Sequence, residues 1–427
     1  MSNAIRIAIT GAGAVCGAGK TADEILDAVV NGRSAIAPIT QWDSARWPVR
    51  VASEVTLDNR ALVPDRKLHK SIGRTDMLGL YASEQAVQQS GLLAHRDTLE
   101  ASAVAPFNDR TGIISGSGGG MYSSSYEYLG LYTAAGNELP GFGRELGNFV
   151  NPMWLLKNLP NNVLCHTGIR CQFKGANTCV TNHCAGGAMS VAESAAAIRA
   201  GEADRMLAVG HDTPLEPESV IYYNSVGLLS QTTPRPFDQH RDGTVFGDGS
   251  GAVMLEEFDS AKARGATVLG EFLGAGCLTE GRGILDVRED GEGVARVIAL
   301  ALTDAGLSPA DIGMIVAHGT GTRASDASEA RGIRRVFGDN VPPVTAFKWA
   351  YGHTIAASGS IDLVVALAAL RAGVVPGIAT LGTLDAGLSP LPVSPASQKP
   401  RANVALLICR AFSGMNVALV IRAGTNP

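Results

Sequence analysis

Short apolar runs alternate with segments of helical periodicity along the whole chain. The runs that predict buried strands lie at residues 5–9, 111–116, 205–210, 251–257, 268–277, 314–319, 403–409 and 416–422. Strands that alternate with helices are typical of α/β proteins, in which helices cover the faces of a sheet. We therefore expect an α/β fold.

The pattern also repeats between two halves of the chain. Each half has a strand, a loop that ends in His or Cys, an Ala-rich helix and a closing pair of strands, and the helices end in AIRAG (197–201) and ALRAG (369–373). Ala-rich helices often share such an ending by chance, so this repeat is only suggestive. It predicts domains at 1–258 and 259–427, with a pseudo-twofold relation between the helix starts near Cys184 and His353.

Composition and charge restrict the class of protein. The chain has 427 residues, 45% of them hydrophobic, and a net charge of −5. This supports a large buried core and argues against a general nucleic-acid binder. The N-terminal sequence MSNAIRIAITGAG lacks the basic and apolar regions of a signal peptide, and no apolar stretch is long enough to span a bilayer. We expect a cytoplasmic protein that binds neither nucleic acid nor membrane.

The cysteines are odd in number and scattered, which fits a reducing compartment better than a disulfide framework. They lie at positions 16, 165, 171, 179, 184, 277 and 409. The cluster at 165–184, with His166 and His183, offers enough zinc ligands, but none has the paired C-x2-C spacing. We expect no metal site. Cys16, Cys277 and Cys409 are predicted to pack in the core, as free cysteines often do.

Cys184 differs from the other cysteines in its position. It follows a β-like run at 175–181 and precedes AGGAMSVAESAAAI, whose apolar residues fall on one helical face. Free N–H groups and the dipole at a helix N-terminus favour a thiolate. Gly186 and Gly187 permit close approach of a ligand. By itself this pattern fits a nucleophile and a structural cysteine about equally well.

Two histidines and a lysine are the natural partners of such a nucleophile. His318 follows a predicted strand in the turn AHGTGTRASDASEA (317–330), and Lys348 comes five residues before His353 in FKWAYGHTIAASGSID (347–362). A single histidine after a strand is usually structural. Two of them in glycine-containing turns, together with Cys184, indicate one assembled site.

In these motifs and their order the chain resembles the elongating β-ketoacyl-acyl carrier protein synthases, the decarboxylating condensing enzymes of the thiolase superfamily. The resemblance runs from about residue 5 to 422 and includes PRPFDQHRDGTVFGDGSGAVMLEE (234–257), the turn at 317–330, and the spacing from Gly175 through Cys184 to GEAD (201–204). It implies a thiolase-like five-layer αβαβα sandwich of two similar halves. It also implies an acyltransferase that elongates fatty acid or polyketide chains by decarboxylative Claisen condensation with malonyl-acyl carrier protein.

The resemblance further implies roles for individual residues. Cys184 would accept the acyl group, His318 and His353 would hydrogen-bond the malonyl thioester carbonyl, and Lys348 would support them. The oxyanion hole would use backbone N–H groups of Cys184 and of the loop that follows Phe412. The remaining candidates are the loop residues Ser413 and Gly414 and the supporting acids Asp326, Glu329 and Asp362. No cofactor is implied, because the substrates arrive on the phosphopantetheine of acyl carrier protein.

A basic run at 64–76 is the candidate for carrier-protein docking. It contains Arg66, Lys67, Lys70 and Arg74 on an otherwise acidic protein, and an ordinary solvated helix face is an equally good interpretation. In related synthases a basic patch at the matching position holds the acidic carrier protein.

The resemblance also implies a dimer, either of identical subunits or with a chain-length-factor-like subunit in a specialised polyketide or aryl polyene pathway. Chain length factors themselves lack the nucleophilic cysteine.

The chain departs from the family pattern on both sides of Cys184 and in the loop near its C-terminus, and also at Val316 and Asp362, which stand in place of Asn and Glu. Before Cys184, His183 replaces a small residue, and it either tunes the thiol or packs outward; after it, Ala185 and Gly186 replace hydroxyl residues. The loop RAFSGMN (410–416) is two residues shorter than its family counterpart and lacks the second Phe, which gates the acyl pocket. We therefore expect weakened gating, a wider pocket mouth and a specialised synthase that tolerates bulky, rigid or unsaturated chains.

A distant alternative is an NAD-dependent dehydrogenase. It is suggested by GAGAVCG (11–17) after the first predicted strand. Cys16 occupies the position of the third fingerprint glycine, and no acidic residue closes a βαβ unit about 20 residues on. This pattern therefore favours the dehydrogenase much less than the condensing enzyme.

Overall fold

The structure is a computed structural model that describes residues 5–119 and 125–424, except for the side chains of residues 125–127. The first four residues of the sequence MSNAIRIAITGAG lie outside the described residues. The strands are β1 (Ile7–Cys16), β2 (Ala37–Pro38), β3 (Val51–Ala52), β4 (Thr111–Ser117), β5 (Asn177–Val180), β6 (Arg205–Asp212), β7 (Gly249–Glu257), β8 (Gly270–Thr279), β9 (Met314–Val316), β10 (Val344–Thr345), β11 (Val404–Ala411) and β12 (Met415–Ala423).

Helices connect these strands and cover both faces of the sheets. They are α1 (Ala22–Val30), α2 (Asn59–Leu62), α3 (Arg74–Ser90), α4 (Leu92–Arg96), α5 (Ala101–Asp109), α6 (Ser125–Ala134), α7 (Leu139–Phe149), α8 (Trp154–Lys157), α9 (Asn162–Cys171), α10 (Gly186–Arg199), α11 (Pro217–Ser225), α12 (Phe258–Ala263), α13 (Glu292–Ala305), α14 (Arg323–Phe337), α15 (Lys348–Tyr351) and α16 (Ser358–Arg371). Short 3₁₀ turns lie at Leu68–Lys70, His183–Ala185, Pro309–Asp311, Ile355–Ala357, Ala386–Leu388 and Phe412–Gly414.

Ten of the strands form one continuous sheet, which divides into a first and a second five-stranded sheet of the same topology. The first has the order β5-β4-β6-β7-β1 and the second β10-β9-β11-β12-β8, joined where the start of β1 pairs with β8. In the first sheet β4 is parallel to β5 and β6, and in the second β9 is parallel to β10 and β11. The closing pairs, β6 with β7 and β11 with β12, are antiparallel. The two halves therefore repeat one αβ unit.

Three helical layers enclose the two sheets. Helix α3 packs on the outer face of the first sheet, α13 on the outer face of the second, and α10 and α16 lie between the sheets. Every residue of α16 from Ser358 to Leu367 is buried, as expected for a helix covered on both sides. The layer order is α, β, α, β, α, which confirms the predicted thiolase-like sandwich.

The two central helices start alike and cross closely. Each follows a 3₁₀ turn whose first residue has a positive φ, 49° at His183 and 42° at Ile355. By this correspondence Cys184 is equivalent to Ala356, and His353 lies just before the second turn. A Cβ added at Gly187 would lie 2.6 Å from the carbonyl oxygen of Ala356, and one at Gly359 would lie 2.6 Å from Cβ of Ala188. Glycine is required at both positions because the helices touch there.

The glycine-rich stretch at 11–17 does not form a nucleotide-binding turn. It continues β1 to Cys16, where it pairs with β7. A Cβ on Gly11 or Gly13 would lie about 2 Å from carbonyl oxygens of α3, so these glycines allow helix and strand to pack closely. The strand leaves no phosphate-binding loop at this position, which contradicts the dehydrogenase alternative.

All seven cysteines are free. Cys16 and Cys409 are buried, as predicted, whereas the prediction was wrong for Cys277, which is exposed on β8. Residues 5–119 and 125–424 contain no group of three or more His, Cys, Asp or Glu side chains placed to hold a metal ion. No helix in this described part of the chain has the length and apolar character needed to cross a membrane.

Candidate active site

Cys184 lies in the 3₁₀ turn that leads into α10, with its side chain 4% exposed. The thiol of Cys409 on β11 donates a hydrogen bond to the carbonyl oxygen of Cys184 at 3.2 Å and so anchors the turn to the second half. Burial raises the pKa of the Cys184 thiol well above its usual range, and Lys348 only partly offsets this effect. The resting nucleophile is therefore a neutral thiol in an enclosed site.

His183 faces this thiol directly. Its Nδ1 lies 3.2 Å from Sγ of Cys184, and its Nε2 lies 2.7 Å from Oη of Tyr223 on α11. The ring also packs edge-on against Phe412, with a centroid distance of 5.1 Å. Of the two interpretations that the sequence leaves open, the structure favours tuning of the thiol over outward packing. Tyr223 was missed at the sequence level, because no motif surrounds it.

His318 and His353 form a pair across the same cavity. Their rings are nearly perpendicular with centroids 5.1 Å apart, and both are buried. Nδ1 of His353 accepts a hydrogen bond from the backbone N–H of Ile355 at 3.1 Å, so the ring carries its proton on Nε2. Burial, together with the charge of Lys348, lowers the pKa of both histidines well below the usual range. They are neutral hydrogen-bond donors at neutral pH.

Lys348 makes a buried ion pair beneath the histidines. Its Nζ lies 3.0 Å from Oδ2 of Asp362, and the Tyr351 hydroxyl donates to Oδ1 of the same carboxylate at 2.5 Å. Lys348 is completely buried. Lys348 and Asp362, which the sequence analysis nominated separately, therefore form an ion pair with each other.

The other two candidate acids hold the His318 loop in shape. Glu329 accepts hydrogen bonds from the backbone N–H groups of His318 at 2.7 Å and Gly319 at 3.0 Å. Asp326 accepts from Gly321 at 3.1 Å and from Phe237 at 2.8 Å. Both acids bind backbone rather than substrate, so they position the loop that carries His318.

The shortened loop closes one side of the cavity. Phe412 stacks almost parallel on Tyr223, with centroids 5.5 Å apart. The backbone N–H of Ser413 donates to the carbonyl oxygen of Ile284 at 2.7 Å, so Ser413 cannot supply the second oxyanion donor in this arrangement. Phe412 and Gly414 line the cavity and remain the candidates from this loop.

Arg410 is a buried cation that the sequence reasoning did not identify. Its Nε donates to Asn416 at 2.8 Å and its Nη1 to the carbonyl oxygen of Ser325 at 2.9 Å. Glu280 lies 3.4 Å from Nη2 and supplies a counter-charge. The network ties the base of the loop to the start of α14.

Three of the catalytic candidates share one cavity of about 360 Å³, which Lys348 does not line. Cys184, His318 and His353 contribute to its wall, and the rest is largely apolar. A second cavity of about 280 Å³ lies beyond His183 and Tyr223, and Asp212 and Glu218 contribute to its lining. Burial raises the pKa of Asp212 to about 7. The His183–Tyr223 pair therefore separates the nucleophile from a polar space.

The predicted docking run divides into exposed and internal residues. Arg66, Lys67 and Lys70 are exposed around the 3₁₀ turn Leu68–Lys70. Arg74 is instead only partly exposed, and its guanidinium donates to the backbone carbonyls of Val55 at 2.6 Å and Leu57 at 3.0 Å. Arg74 therefore stabilises the start of α3, and it is less exposed than the other three residues of the run.

Comparisons with known proteins agree on one family. The models for the N-terminal and C-terminal domains of beta-ketoacyl synthase match residues 4–261 and 269–381. Nodulation protein E of Rhizobium sp. (strain N33) is 31% identical over 98% of this chain and 99% of its own length, and 3-oxoacyl-[acyl-carrier-protein] synthase 2 of Coxiella burnetii is 30% identical over 97% and 98%.

Solved structures give the same result. A beta-ketoacyl synthase from Burkholderia phymatum STM815 superimposes with a TM-score of 0.86 at 27% identity, covering 99% of this chain and 100% of that one. The ishigamide ketosynthase/chain length factor superimposes with a TM-score of 0.84 at 27% identity and the same coverage. The similarity extends over both halves.

Proposed function

This chain belongs to the beta-ketoacyl synthase family, and from that premise we propose how its residues perform the condensation. The family is that of elongating acyltransferases which form a carbon–carbon bond by decarboxylative Claisen condensation. The observation that carries the assignment of residues is that Cys184, His318 and His353 line one cavity. The first two steps are acyl transfer to Cys184 and loss of CO2 from a malonyl thioester.

In the first step Cys184 attacks the acyl thioester of the incoming carrier. The bond from Sγ to the acyl carbon forms and the bond from the pantetheine sulfur to that carbon breaks, so one thioester replaces another at little energetic cost. Backbone N–H groups of Cys184 and of Phe412 or Gly414 hold the oxyanion. The chain then waits on the enzyme.

In the second step the malonyl thioester loses CO2. The bond between the α-carbon and the carboxylate breaks, and the electron pair stays on the enolate. Nε2–H of His353 and an N–H of His318 donate to the enolate oxygen, and each such donor is typically worth about 3 kcal/mol in the transition state. The α-carbon then bonds to the acyl carbon held on Cys184, the bond from Sγ to that carbon breaks, and the sulfur leaves as a thiolate that takes up a proton from water. Neutral donors stabilise the enolate without protonating it readily, and burial together with the charge of Lys348 keeps both rings neutral by lowering their pKa.

No organic cofactor or metal enters these steps, because both substrates carry their own activated thioester. The substrates are held on acyl carrier protein, as the name of the Coxiella burnetii relative states for that enzyme. Exposed Arg66, Lys67 and Lys70 supply the positive surface for the acidic carrier.

We also propose a dimer. Strand β5 is an edge strand whose residues Asn177 and Thr178 are exposed, and unpaired edges favour pairing with another chain. The partner is a second copy or a chain-length-factor-like subunit. The second option is supported by the ishigamide neighbour, which its name describes as a ketosynthase/chain length factor.

The short loop at Phe412 supports a specialised substrate, an acyl chain that is bulky, rigid or unsaturated.

The test is intact-mass analysis of the purified protein with a panel of acyl carrier thioesters, alone and with any partner co-expressed from the native source. Wild type should gain the acyl mass, Cys184→Ala should not, and the exposed-cysteine control Cys277→Ala should behave like wild type. Acylation of the Cys184→Ala protein would refute the assignment. A strong preference for saturated medium chains by a homodimer would refute the specialised substrate but not the enzyme class.

Decarboxylation of malonyl carrier separates the roles of the histidines. His318→Ala and His353→Ala should each lose decarboxylation more severely than acylation of Cys184, by about 100-fold, because each removes one donor to the enolate. Equal loss of both steps would instead indicate that these histidines act on the thiol.

A further inference from the structure

His183 occupies a position where it touches the reacting atom. Nδ1 is 3.2 Å from Sγ of Cys184, and Nε2 is 2.7 Å from Oη of Tyr223. Phe412 packs against the edge of the ring. The imidazole is thus held between the nucleophile and a phenol, with both nitrogens engaged.

An unusual backbone conformation allows this contact between the adjacent residues His183 and Cys184. Adjacent residues of a regular helix do not face each other. His183 has φ of 49°, in the left-handed region that non-glycine residues rarely adopt. Ile355 has φ of 42° at the equivalent place in the second half. The positive φ is therefore a feature of this turn in both halves and not of the histidine itself. At 183 the same turn carries an imidazole and aims it at the thiol.

The His183 ring and the Cys184 thiol are both uncharged at rest, as a general base and its thiol must be before the proton moves. Burial lowers the pKa of His183, so the ring is neutral with one free lone pair at neutral pH. Burial raises the pKa of Cys184, so the thiol needs a proton acceptor before it can attack. The titratable groups that face this pair are Tyr223 on α11, Cys409 on β11, Asp212 on β6, Lys348 on α15 and His353.

We propose that His183 is a further catalytic residue, the general base of acyl transfer, with Tyr223 as its positioning residue. The Tyr223 oxygen accepts the Nε2–H bond, which leaves the Nδ1 lone pair on the thiol. The Cys184 proton moves to Nδ1 as Sγ bonds to the acyl carbon. The same proton then moves to the pantetheine sulfur as its bond to that carbon breaks, and His183 returns to its neutral form. This inference rests on the proposed function.

The three histidines then divide the reaction between them. His318 and His353 are donors for the enolate, whereas His183 exchanges a proton with sulfur. Loss of His183 should therefore slow acyl transfer and leave carbon–carbon bond formation from a preformed acyl-enzyme almost unchanged. A merely structural residue would not separate the two steps.

The first experiment measures the rate at which iodoacetamide alkylates Cys184, resolved by peptide mapping, from mildly acidic to alkaline pH. His183→Asn is the decisive variant, because Asn tolerates a positive φ and keeps a polar group near sulfur but cannot take the proton. His95→Asn, on α4 and outside both cavity linings, is the matched control. Wild type and the control should react at neutral pH, whereas His183→Asn should react about 100-fold more slowly there and recover at alkaline pH. Identical profiles would overturn the proposal.

The second experiment follows single turnovers. The His183→Asn protein should acquire the acyl group from acyl carrier about 100-fold more slowly than wild type. Once loaded by long incubation, it should condense with malonyl carrier at a rate close to wild type. Equal loss of both steps, or no loss of transfer, would overturn the proposal.

Tyr223→Phe provides the independent variant if His183→Asn does not fold. It should slow acyl transfer about tenfold at neutral pH and shift the alkylation profile in the same direction as His183→Asn, because it removes the oxygen that accepts the hydrogen bond from Nε2–H. A folded Tyr223→Phe protein with the wild-type profile would overturn the positioning role. If wild type itself gains no acyl mass, the proposed function fails, while the alkylation profiles still decide whether His183 acts on the thiol.

Discussion

The charge of Lys348 has two effects at the residue scale. It neutralises Asp362 in the interior, and after burial it is the largest influence that lowers the pKa of His318 and His353. A cation beside two histidines discourages their protonation, which keeps them as neutral donors. The Lys348–Asp362 pair thus affects both the stability of the protein and the ability of the histidines to stabilise the enolate.

Removing one partner of this pair should be costly. Lys348→Met leaves the Asp362 carboxylate buried without its counter-charge and should lower the free energy of unfolding by about 3–5 kcal/mol. Lys348→Met/Asp362→Asn removes both charges and keeps an acceptor for Tyr351, so it should be more stable than the single variant. Urea unfolding of both variants and of Asp362→Asn completes the cycle; additive effects would show that the pair is not coupled.

The crossing of α10 and α16 decides the geometry at the element scale. Gly187 and Gly359 let the two helices approach until backbone meets backbone, which brings the turn of Cys184 next to the turn that follows His353. The nucleophile and the enolate donors come from different halves, so their separation depends on this contact.

Gly187→Ala should force the helices apart. The new Cβ would lie 2.6 Å from the Ala356 carbonyl oxygen, and we expect a loss of about 1–3 kcal/mol with reduced condensation. Gly143→Ala is the matched control, because its Cβ would meet nothing within 4 Å in the interior of α7 and should stabilise the helix by about 1 kcal/mol. Thermal unfolding of both variants measures the difference, and equal melting temperatures would contradict the crossing argument.

The short 3₁₀ turn Phe412–Gly414 is the second element that shapes the reaction. Phe412→Ala removes the aromatic ring that stacks on Tyr223 and should raise decarboxylation of malonyl carrier without a loaded acyl chain several-fold relative to condensation. Phe149→Ala, an exposed aromatic on α7, is the control. Carbon dioxide release and product formation give the ratio, and an unchanged ratio would remove Phe412 from gating.

Charge distribution matters at the scale of the whole molecule. The protein is acidic overall, with a net charge of −5, so a local positive surface is needed to attract an acidic carrier. Arg66, Lys67 and Lys70 provide such a surface, while Arg74 is engaged with backbone carbonyls.

Charge reversal tests this surface. Lys67→Glu/Lys70→Glu should raise KM for carrier-bound substrate about tenfold at low salt and much less at high salt, because salt screens exposed charges. Lys174→Glu/Lys399→Glu changes the net charge equally at two other exposed lysines and is the control. Equal effects of the two double variants would show a response to net charge rather than a docking site.

The sequence by itself determined the order of the elements and the chemical character of the site. Alternating apolar runs and helical segments are local patterns, and they sufficed to predict every strand of both sheets except β10, which has only two residues. Cys184, His318, Lys348 and His353 lie near the junctions of predicted elements, so spacing and motif were enough to nominate them. The family resemblance added their roles.

The tertiary structure alone decided how the side chains meet. His183 and Tyr223 are 40 residues apart, and only the packing of α11 against the Cys184 turn brings them to 2.7 Å. The positive φ of His183, the internal role of Arg74 and the engaged N–H of Ser413 likewise follow from local dihedrals and distant backbone partners. Periodicity reports which face of an element is buried. Side-chain direction and hydrogen-bond partners depend on contacts between residues far apart in sequence, which no local pattern contains.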